Sequence, residues 1–347
     1  MISRIKHLKV FINDPNKKGV LRMIKEIFIF TWIKKELPTD YFRKFLYRKD
    51  IVGYKNYLSL KQYYAIINSP YITNNNVENI MHNKLSFAFY CEKNRLLVPL
   101  LTSYNFKNTF YFNNSIIKIK NNKELVNFYK NVFNYYDKEN LFLKPINGGG
   151  GHGCILIEKD KIEEHITLNA TTLLNNNYIH QEVIYQHSDI NKMYSKSVNT
   201  LRIDTYLDKN ENIHVMSSAM RFGIGDNITD NAGSGGFYVA TDSICGCLKG
   251  KGRQDLTKGG QEFLNHPNTN TKIDGFKIPF YNEAINLAKK SAEYFPTRLI
   301  GWDIAISETG PIIIEGNPKP SLHLTGTAFG GYLKHPLIQD ILKEIKY

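Results

Sequence analysis

Residues 299–319, LIGWDIAISETGPIIIEGNPK, constrain the fold more than any other stretch of the chain. Ile300, Trp302, Ile304 and Ile306 alternate with Leu299, Gly301, Asp303, Ala305 and Ser307, the period-2 pattern of a half-buried strand. A return strand, Pro311 to Asn317, puts Ile312 and Ile314 on one face and Ile313, Glu315 and Asn317 on the other. A three-residue loop, Glu308-Thr309-Gly310, closes the hairpin, with Gly310 available for the left-handed conformation. Ser307 then pairs with Pro311, and counting outward sets Asp303 opposite Glu315. Directly paired residues share a face, so both carboxylates leave the same side, with Asn317 two steps further on. Two carboxylates and an amide oxygen form a hard-oxygen site suited to Mg²⁺. A solvated face would also carry Asp, Glu and Asn. Against that reading, Gly301, Ala305 and Ile313 bring no Lys or Arg to the face. Like charges directly opposite each other repel unless a cation lies between them.

The second concentrated signal is LFLKPINGGGGHGCILIE, residues 141–158. An apolar strand ends in Lys144-Pro145, a glycine-rich loop follows, and Cys154–Glu158 reads as a further strand. Gly148-x-Gly150-x-x-Gly153 matches the dinucleotide fingerprint formally, but that fingerprint opens a helix, whereas here a strand follows. Strand, glycine loop, strand is instead a flap over phosphates, as in kinases, although the lysine precedes the loop and no HRD or DFG is present. Glycines let backbone amides approach phosphate oxygens, and Lys144 adds a point charge. The alternative is a flexible hairpin tip, which would not need an apolar strand ending in lysine.

Around these two signals, 347 residues can bury a sizeable core in two or three lobes. Helical patterns at 19–36, 40–48 and 59–68, without strand signals, predict a helical N-terminal lobe over 1–78. Residues 79–347 carry the rest: a helix at 79–95 bearing Lys84, then the strands and helices of the flap lobe (79–184), then a strand-rich lobe (185–347) ending in the hairpin and a last helix. In TLRIDTYL, Arg202 and Asp204 share one face, where an Arg202–Asp204 ion pair is the plain structural reading; Arg221 ends the next strand. Asn231–Gly236 forms a second glycine-rich loop.

The charge is uneven. Residues 1–61 hold 15 Lys or Arg against 5 Asp or Glu, and so most of the chain's net +13. That balance points to an anionic neighbour, a membrane surface, a nucleic acid or an acidic polymer, or to a solvated face serving solubility. The helix with Ile27-Phe28-Ile29-Phe30 and Trp32 is expected to bury its aromatic side in its own lobe and leave Lys25, Lys34 and Lys35 outward. No apolar run is long enough to span a bilayer and no signal segment is expected. Cys91, Cys154, Cys245 and Cys247 lack zinc spacing and read as structural thiols in a reducing, cytoplasmic setting.

Taken in order, these parts resemble the ATP-grasp superfamily, and within it the sugar-transfer-associated ATP-grasp group found among surface-polysaccharide genes. The resemblance rests on the Asp303…Glu315-x-Asn317 hairpin, the K-P-x-x-G-G-G-G-x-G flap and the run SVNTLRIDTYL, and covers about residues 80–347. It implies an α+β ATP-grasp fold, two lobes gripping ATP, with the helical lobe replacing the usual first domain. Lys84 and Lys144 would contact ATP phosphates, with Gly148, Gly149, Gly150, Gly151, His152 and Gly153 closing over them. Gln181, Glu182, Val183 and Ile184 resemble the adenine hinge, and Asp189 the ribose-binding acid. Asp303, Glu315 and Asn317 match the ligands of two Mg²⁺. Arg202 and Arg221 would hold an anionic acceptor, and Lys319 stands where many members have arginine near the substrate phosphate.

The activity implied is an ATP-dependent carboxylate–amine ligase working through an acyl phosphate in capsule or O-antigen synthesis. Its partners would be a small or lipid-linked sugar carboxylate and an amine, at the inner face of the membrane, and no nucleic acid. A kinase on the same scaffold and a non-catalytic ATP-binding regulator are the alternatives.

Overall fold

The computed structural model describes residues 9–347; the basic start of the chain, residues 1–8, lies outside the described residues. Two antiparallel sheets carry the two signals. The first joins β1 (Leu101–Phe106), β2 (Thr109–Phe112), β3 (Ser115–Lys118), β4 (Asn140–Pro145), β5 (Ile155–Glu158) and β6 (Asn177–Glu182) in the order β3-β2-β1-β6-β4-β5. Helices Asn122–Tyr136 and Ile162–Asn175 bury Leu125, Phe128, Val132, Ile166 and Leu173 against the sheet residues Leu141, Leu143 and Ile157. The second sheet joins β7 (Thr200–Leu207), β8 (Ile213–Phe222), β9 (Phe237–Asp242), β10 (Cys247–Gln254), β11 (Glu262–Phe263), β12 (Leu299–Ser307) and β13 (Gly310–Asn317) in the order β11-β10-β9-β8-β7-β12-β13. Helix Tyr281–Ala292 packs on its inner face through Ala284, Leu287 and Ala288.

The hairpin departs from expectation twice, and the departures cancel. Ser307 pairs with Gly310, so the turn is Glu308-Thr309 alone, one residue shorter than expected. A bulge then leaves Ile314 without a partner between the Asp303–Glu315 and Ile304–Ile313 pairs, restoring the expected register. The bulge also swings Ile313 into the core beside Ile304, away from the carboxylate face. β12 is buried on both faces, because it sits inside the sheet and its polar side is covered, so it is not the half-buried strand that alternation suggests.

The segment at 79–95 is two helices, Asn75–His82 and Lys84–Lys93, with Asn83 between them. Asn83 accepts a hydrogen bond from Ser86 N–H and so starts the second helix, which makes Lys84 its first residue. Met81 and Phe87 from this pair press on Gly316 and Trp302, fixing β13 against the helices.

Towards the N-terminal end, helix Val20–Lys34 forms as expected, and Leu60–Ile67 is opened by a Ser59/Gln62 capping box. The pattern at 40–48 yields only the helix Thr39–Arg43, because Phe45 takes a positive φ. Lys34 is buried, not outward, its Nζ donating to the Lys55 carbonyl at 3.1 Å, and Lys18 is buried as well, its Nζ donating to Glu26 at 2.7 Å. The aromatic side is not buried either, since Phe28 and Trp32 are exposed while Phe30 faces inward.

One buried group gives the first lobe a pH dependence. His180 on β6 is fully buried, with Nδ1 2.6 Å from Ser103 Oγ and Nε2 3.1 Å from Asn105 Oδ1, and burial pulls its pKa down to about 3. A folded-state pKa below the unfolded value of 6.5 means stability present at neutral pH is lost as pH falls from 6.5 towards 3. At about 1.4 kcal/mol per pKa unit, the loss is of the order of a few kcal/mol. Urea midpoints measured across this range should fall for wild type and fall less for His180→Gln; equal slopes would contradict the assignment.

Candidate active site

The cleft between the sheets is lined by Lys84 and Met81 from the helix pair, Lys144, Ile179 and Gln181 from the first sheet, and Ile314 and Glu315 from β13. Lys144 reaches it because β4 pairs with β6 at Lys144–Ile179, which sets its side chain beside Phe142 on one face, with Nζ 5.6 Å from that ring centroid. Burial pulls the Lys144 pKa down to about 8. Neither Lys144 nor Lys84 makes an ion pair among the described residues; Lys84 Nζ donates to the Gly148 carbonyl at the root of the flap. Glu315 is half-buried and its carboxylate has no hydrogen-bond or ion-pair partner among the described residues. Burial, with Asp303 alongside, raises its pKa.

Asp303 stands differently. Its cross-strand partner on the other side is Arg202, whose Nε donates to Oδ1 at 2.5 Å and Nη2 to Oδ2 at 3.1 Å. Arg221 Nη2 lies 2.9 Å from Oδ2. Burial alone would raise the Asp303 pKa, and the two guanidiniums hold it below the usual carboxylate range. The absence of cations on the hairpin therefore did not mean an unneutralised face: β7 and β8 supply two. The plain Arg202–Asp204 ion pair does not form. Asp204 is instead buried beneath Arg202, where Ser217, Thr325 and Tyr332 donate to its Oδ2, and burial raises its pKa.

The flap is the expected strand–loop–strand, β4 and β5 pairing from Asn140–Glu158 to Leu143–Ile155. Gly148, Gly150, Gly151 and Gly153 have positive φ. Gly151 is also a close approach, where a Cβ would lie 2.3 Å from Thr229 Cγ2, so a side chain there would push the flap off the segment before the second glycine loop. His152 is exposed.

Among the described residues no cluster of three or more His, Cys, Asp or Glu could hold a metal ion. The expected set is two carboxylates and an amide, with Asn317 opposite Gly301 on the Asp303 side. The donors fit a hard cation: Glu315 is unpartnered, and a carboxylate with about four lone-pair sites leaves Asp303 one after its three donors.

The sequence matches the model of the sugar-transfer-associated ATP-grasp family over residues 61–341. The chain belongs to this family. A search of curated proteins finds no match. Among solved structures, it is similar to D-alanyl-alanine synthetase A from Vibrio cholerae O1 biovar eltor, with 12% identity, 80% of this chain and 68% of that one covered, and a TM-score of 0.45. It is similar to the ATP-grasp ligase PsnB complexed with minimal precursor, with 15% identity, 80% and 64% covered, and a TM-score of 0.41. It is also similar to N5-carboxyaminoimidazole synthase from Aspergillus clavatus in complex with ADP and 5-aminoimidazole ribonucleotide, with 12% identity, 71% and 47% covered, and a TM-score of 0.41. The chain thus spans between about half and two thirds of the length of these proteins, and the family assignment rests on the sequence match.

Three further expected positions of this ATP-grasp protein have partners of their own. Glu182 accepts from Leu100 N–H at 3.0 Å and from Lys138 Nζ at 2.8 Å, so its carboxylate is engaged away from the cleft. Val183 and Ile184 leave the strand without backbone hydrogen bonds to other described residues. Asp189 lies in helix Ser188–Met193 beside the hairpin turn, paired with Lys192 at 2.6 Å. Lys319 pairs with Glu78 at 2.7 Å. Sequence reading missed Thr200 and Asp230. Thr200 Oγ1 accepts from Arg221 Nη2 at 2.6 Å, and Asp230 Oδ2 accepts from Thr200 N–H at 2.8 Å, so together they aim Arg221 at Asp303. The only available signal was their position, Thr200 within the SVNTLR run and Asp230 just before the second glycine loop.

Proposed function

We propose that this protein is an ATP-dependent carboxylate–amine ligase of surface-polysaccharide synthesis. The observation that carries the reading is charge left without an ion pair in one cleft: among the described residues neither Lys84 nor Lys144 pairs with a carboxylate, and Glu315 pairs with no cation. Leaving buried or half-buried charges unpaired is costly, and a polyphosphate with its cation answers all three at once. Lys84 and Lys144 bind the phosphates, the amides of Gly148–Gly153 close over them, and the free backbone of Val183 and Ile184, beside Gln181, takes the adenine edge. Asp189 serves the ribose once released from Lys192. Asp303, Glu315 and Asn317 are the residues that would hold two Mg²⁺, which when bound neutralise charge developing on the transferred phosphoryl group. Arg202 and Arg221 each keep Nη1 free of acceptors among the described residues and hold the acceptor's carboxylate; Lys319, paired with Glu78, serves the substrate phosphate.

The carboxylate oxygen attacks the γ-phosphorus and ADP leaves, giving an acyl phosphate. The amine nitrogen then attacks the acyl carbon, phosphate leaves with the bond's electron pair, and the nitrogen loses a proton to give the amide. A uronic acid and an amino acid or amino sugar fit this chemistry, and a lipid-linked acceptor would place the basic lobe against the inner leaflet. The test is ADP release across a matrix of uronic acids, nucleotide sugars and amines, with hydroxylamine as a trap. Carboxylate-dependent hydroxamate and an amide product are expected. A phosphorylated hydroxyl, formed without amine, would make it a kinase, and Mg²⁺-ATP binding without turnover on any pair would leave a regulator.

A further inference from the structure

Helix Val20–Lys34 has two unlike faces. Met23, Glu26, Phe30 and Lys34 pack inward. Val20, Leu21, Ile24, Phe28 and Trp32 fall on an arc of about 120° at 3.6 residues per turn. All five are exposed, Leu21 by 85%, Phe28 by 70% and Trp32 by 77%. A contiguous apolar stripe of this kind on a water-soluble surface marks a contact site.

One border of the stripe is basic. Exposed Lys25 runs along it with Arg22 beyond, and Lys35 stands at the end of the stripe beside Phe28 and Trp32. The helix's one acid, Glu26, is turned inward onto Lys18 and Arg22. A second copy of the chain would bring the same cations face to face across a two-fold contact, with no acid on this helix face to meet them. An anionic bilayer answers both the apolar stripe and its cations. The helix has 15 residues, too few to span, and no helix among the described residues is long and apolar enough to cross a membrane.

We propose that this stripe is the surface by which the protein lies on an anionic lipid bilayer. Phe28 and Trp32 enter the boundary between headgroups and acyl chains, and Lys25 and Lys35 face lipid phosphates. The inference deepens the membrane part of the reading above and does not depend on its ligase chemistry, because vesicle binding needs no turnover.

Trp32 is its own reporter. The chain has two tryptophans, and the other, Trp302, is 0% exposed and gives a constant background. Vesicles containing phosphatidylglycerol should shift the Trp32 emission to the blue, and bromine-labelled acyl chains should quench it, whereas phosphatidylcholine alone should do neither. Phe28→Ser should weaken binding roughly 10-fold while Trp32 still reports. Lys25→Glu with Lys35→Glu should weaken it on the order of 100-fold, and rising salt should weaken the wild type, since about 8–10 Å of screening applies at physiological ionic strength. Co-sedimentation without a blue shift would overturn the stripe as the docking surface and leave a purely electrostatic contact of the basic lobe. Emission already blue in the free monomer, or a blue shift that follows protein concentration and a dimeric mass, would assign the stripe to the chain itself or to a second copy, and either overturns the proposal.

Discussion

Glu315→Gln is expected to abolish ATP turnover while the protein folds as well as wild type, or better. The two side chains have nearly the same shape, so the contacts of neighbouring Gly316 with Met81 and Trp302 stay as they are. What changes is one negative charge that makes no ion pair among the described residues, set across the hairpin from Asp303. Removing it relieves a like-charge pair in the ligand-free protein and removes the most available donor for a hard cation. The neighbouring acid behaves oppositely. Asp303→Asn also removes a charge, but it strands the buried guanidinium of Arg202 and leaves Arg221 with Asp230 alone, and orphaning one side of a buried ion pair costs about 3–5 kcal/mol. Measured together by ADP release and thermal melting, Glu315→Gln should lose activity alone, and Asp303→Asn should lose activity and stability. Near-wild-type ADP release by Glu315→Gln would remove Glu315 from the site.

That contrast was only half legible in the sequence. Strand alternation and a short turn put Asp303 opposite Glu315, and this pairing formed even though the turn is one residue shorter and a bulge at Ile314 compensates. Local patterns survive such offsetting shifts because burial of Ile304, Ile306 and Trp302 pins the strand against the core whatever the turn does. The inequality of the two acids was hidden, because it depends on strands far away in sequence: β7 pairs with β12 and brings Arg202 across from Asp303, and β8 adds Arg221. β2, β10 and β11 were missed for a related reason. TFYF is too short to show a period, and CLKGKGRQ is broken by glycines and charged residues, so sheet pairing decides what local preference does not. The flap was legible because its signal is covalent: glycines with positive φ between two apolar strands. The exposed stripe of helix Val20–Lys34 could not be read from one segment, since an apolar helix face looks the same whether its own lobe covers it or not.

Lys144→Met should slow ATP turnover by about 10²–10³ and raise the stability of the ligand-free protein. Methionine keeps most of the aliphatic stem that lies along Phe142 and Ile179 but removes the ammonium. In the ligand-free chain that ammonium is a burden: burial pulls its pKa down to about 8, and no carboxylate pairs with it among the described residues. A charge disfavoured by two to three pKa units costs on the order of 2 kcal/mol, after allowance for the partial exposure of the side chain. When phosphates occupy the cleft the same ammonium is a preorganised countercharge in a half-dry site, and loss of one such group typically costs about 10²–10³ in rate. A lysine kept for packing alone would give the opposite pair of results, a lower melting temperature with turnover little changed. Amide exchange separates binding from catalysis in the same variant. Mg²⁺-ATP should protect residues 146–155 in wild type, because the glycine hairpin becomes ordered over the phosphates, and should protect them less in Lys144→Met. Exchange in 146–155 that does not respond to saturating Mg²⁺-ATP in wild type would mean that this loop does not cover the nucleotide.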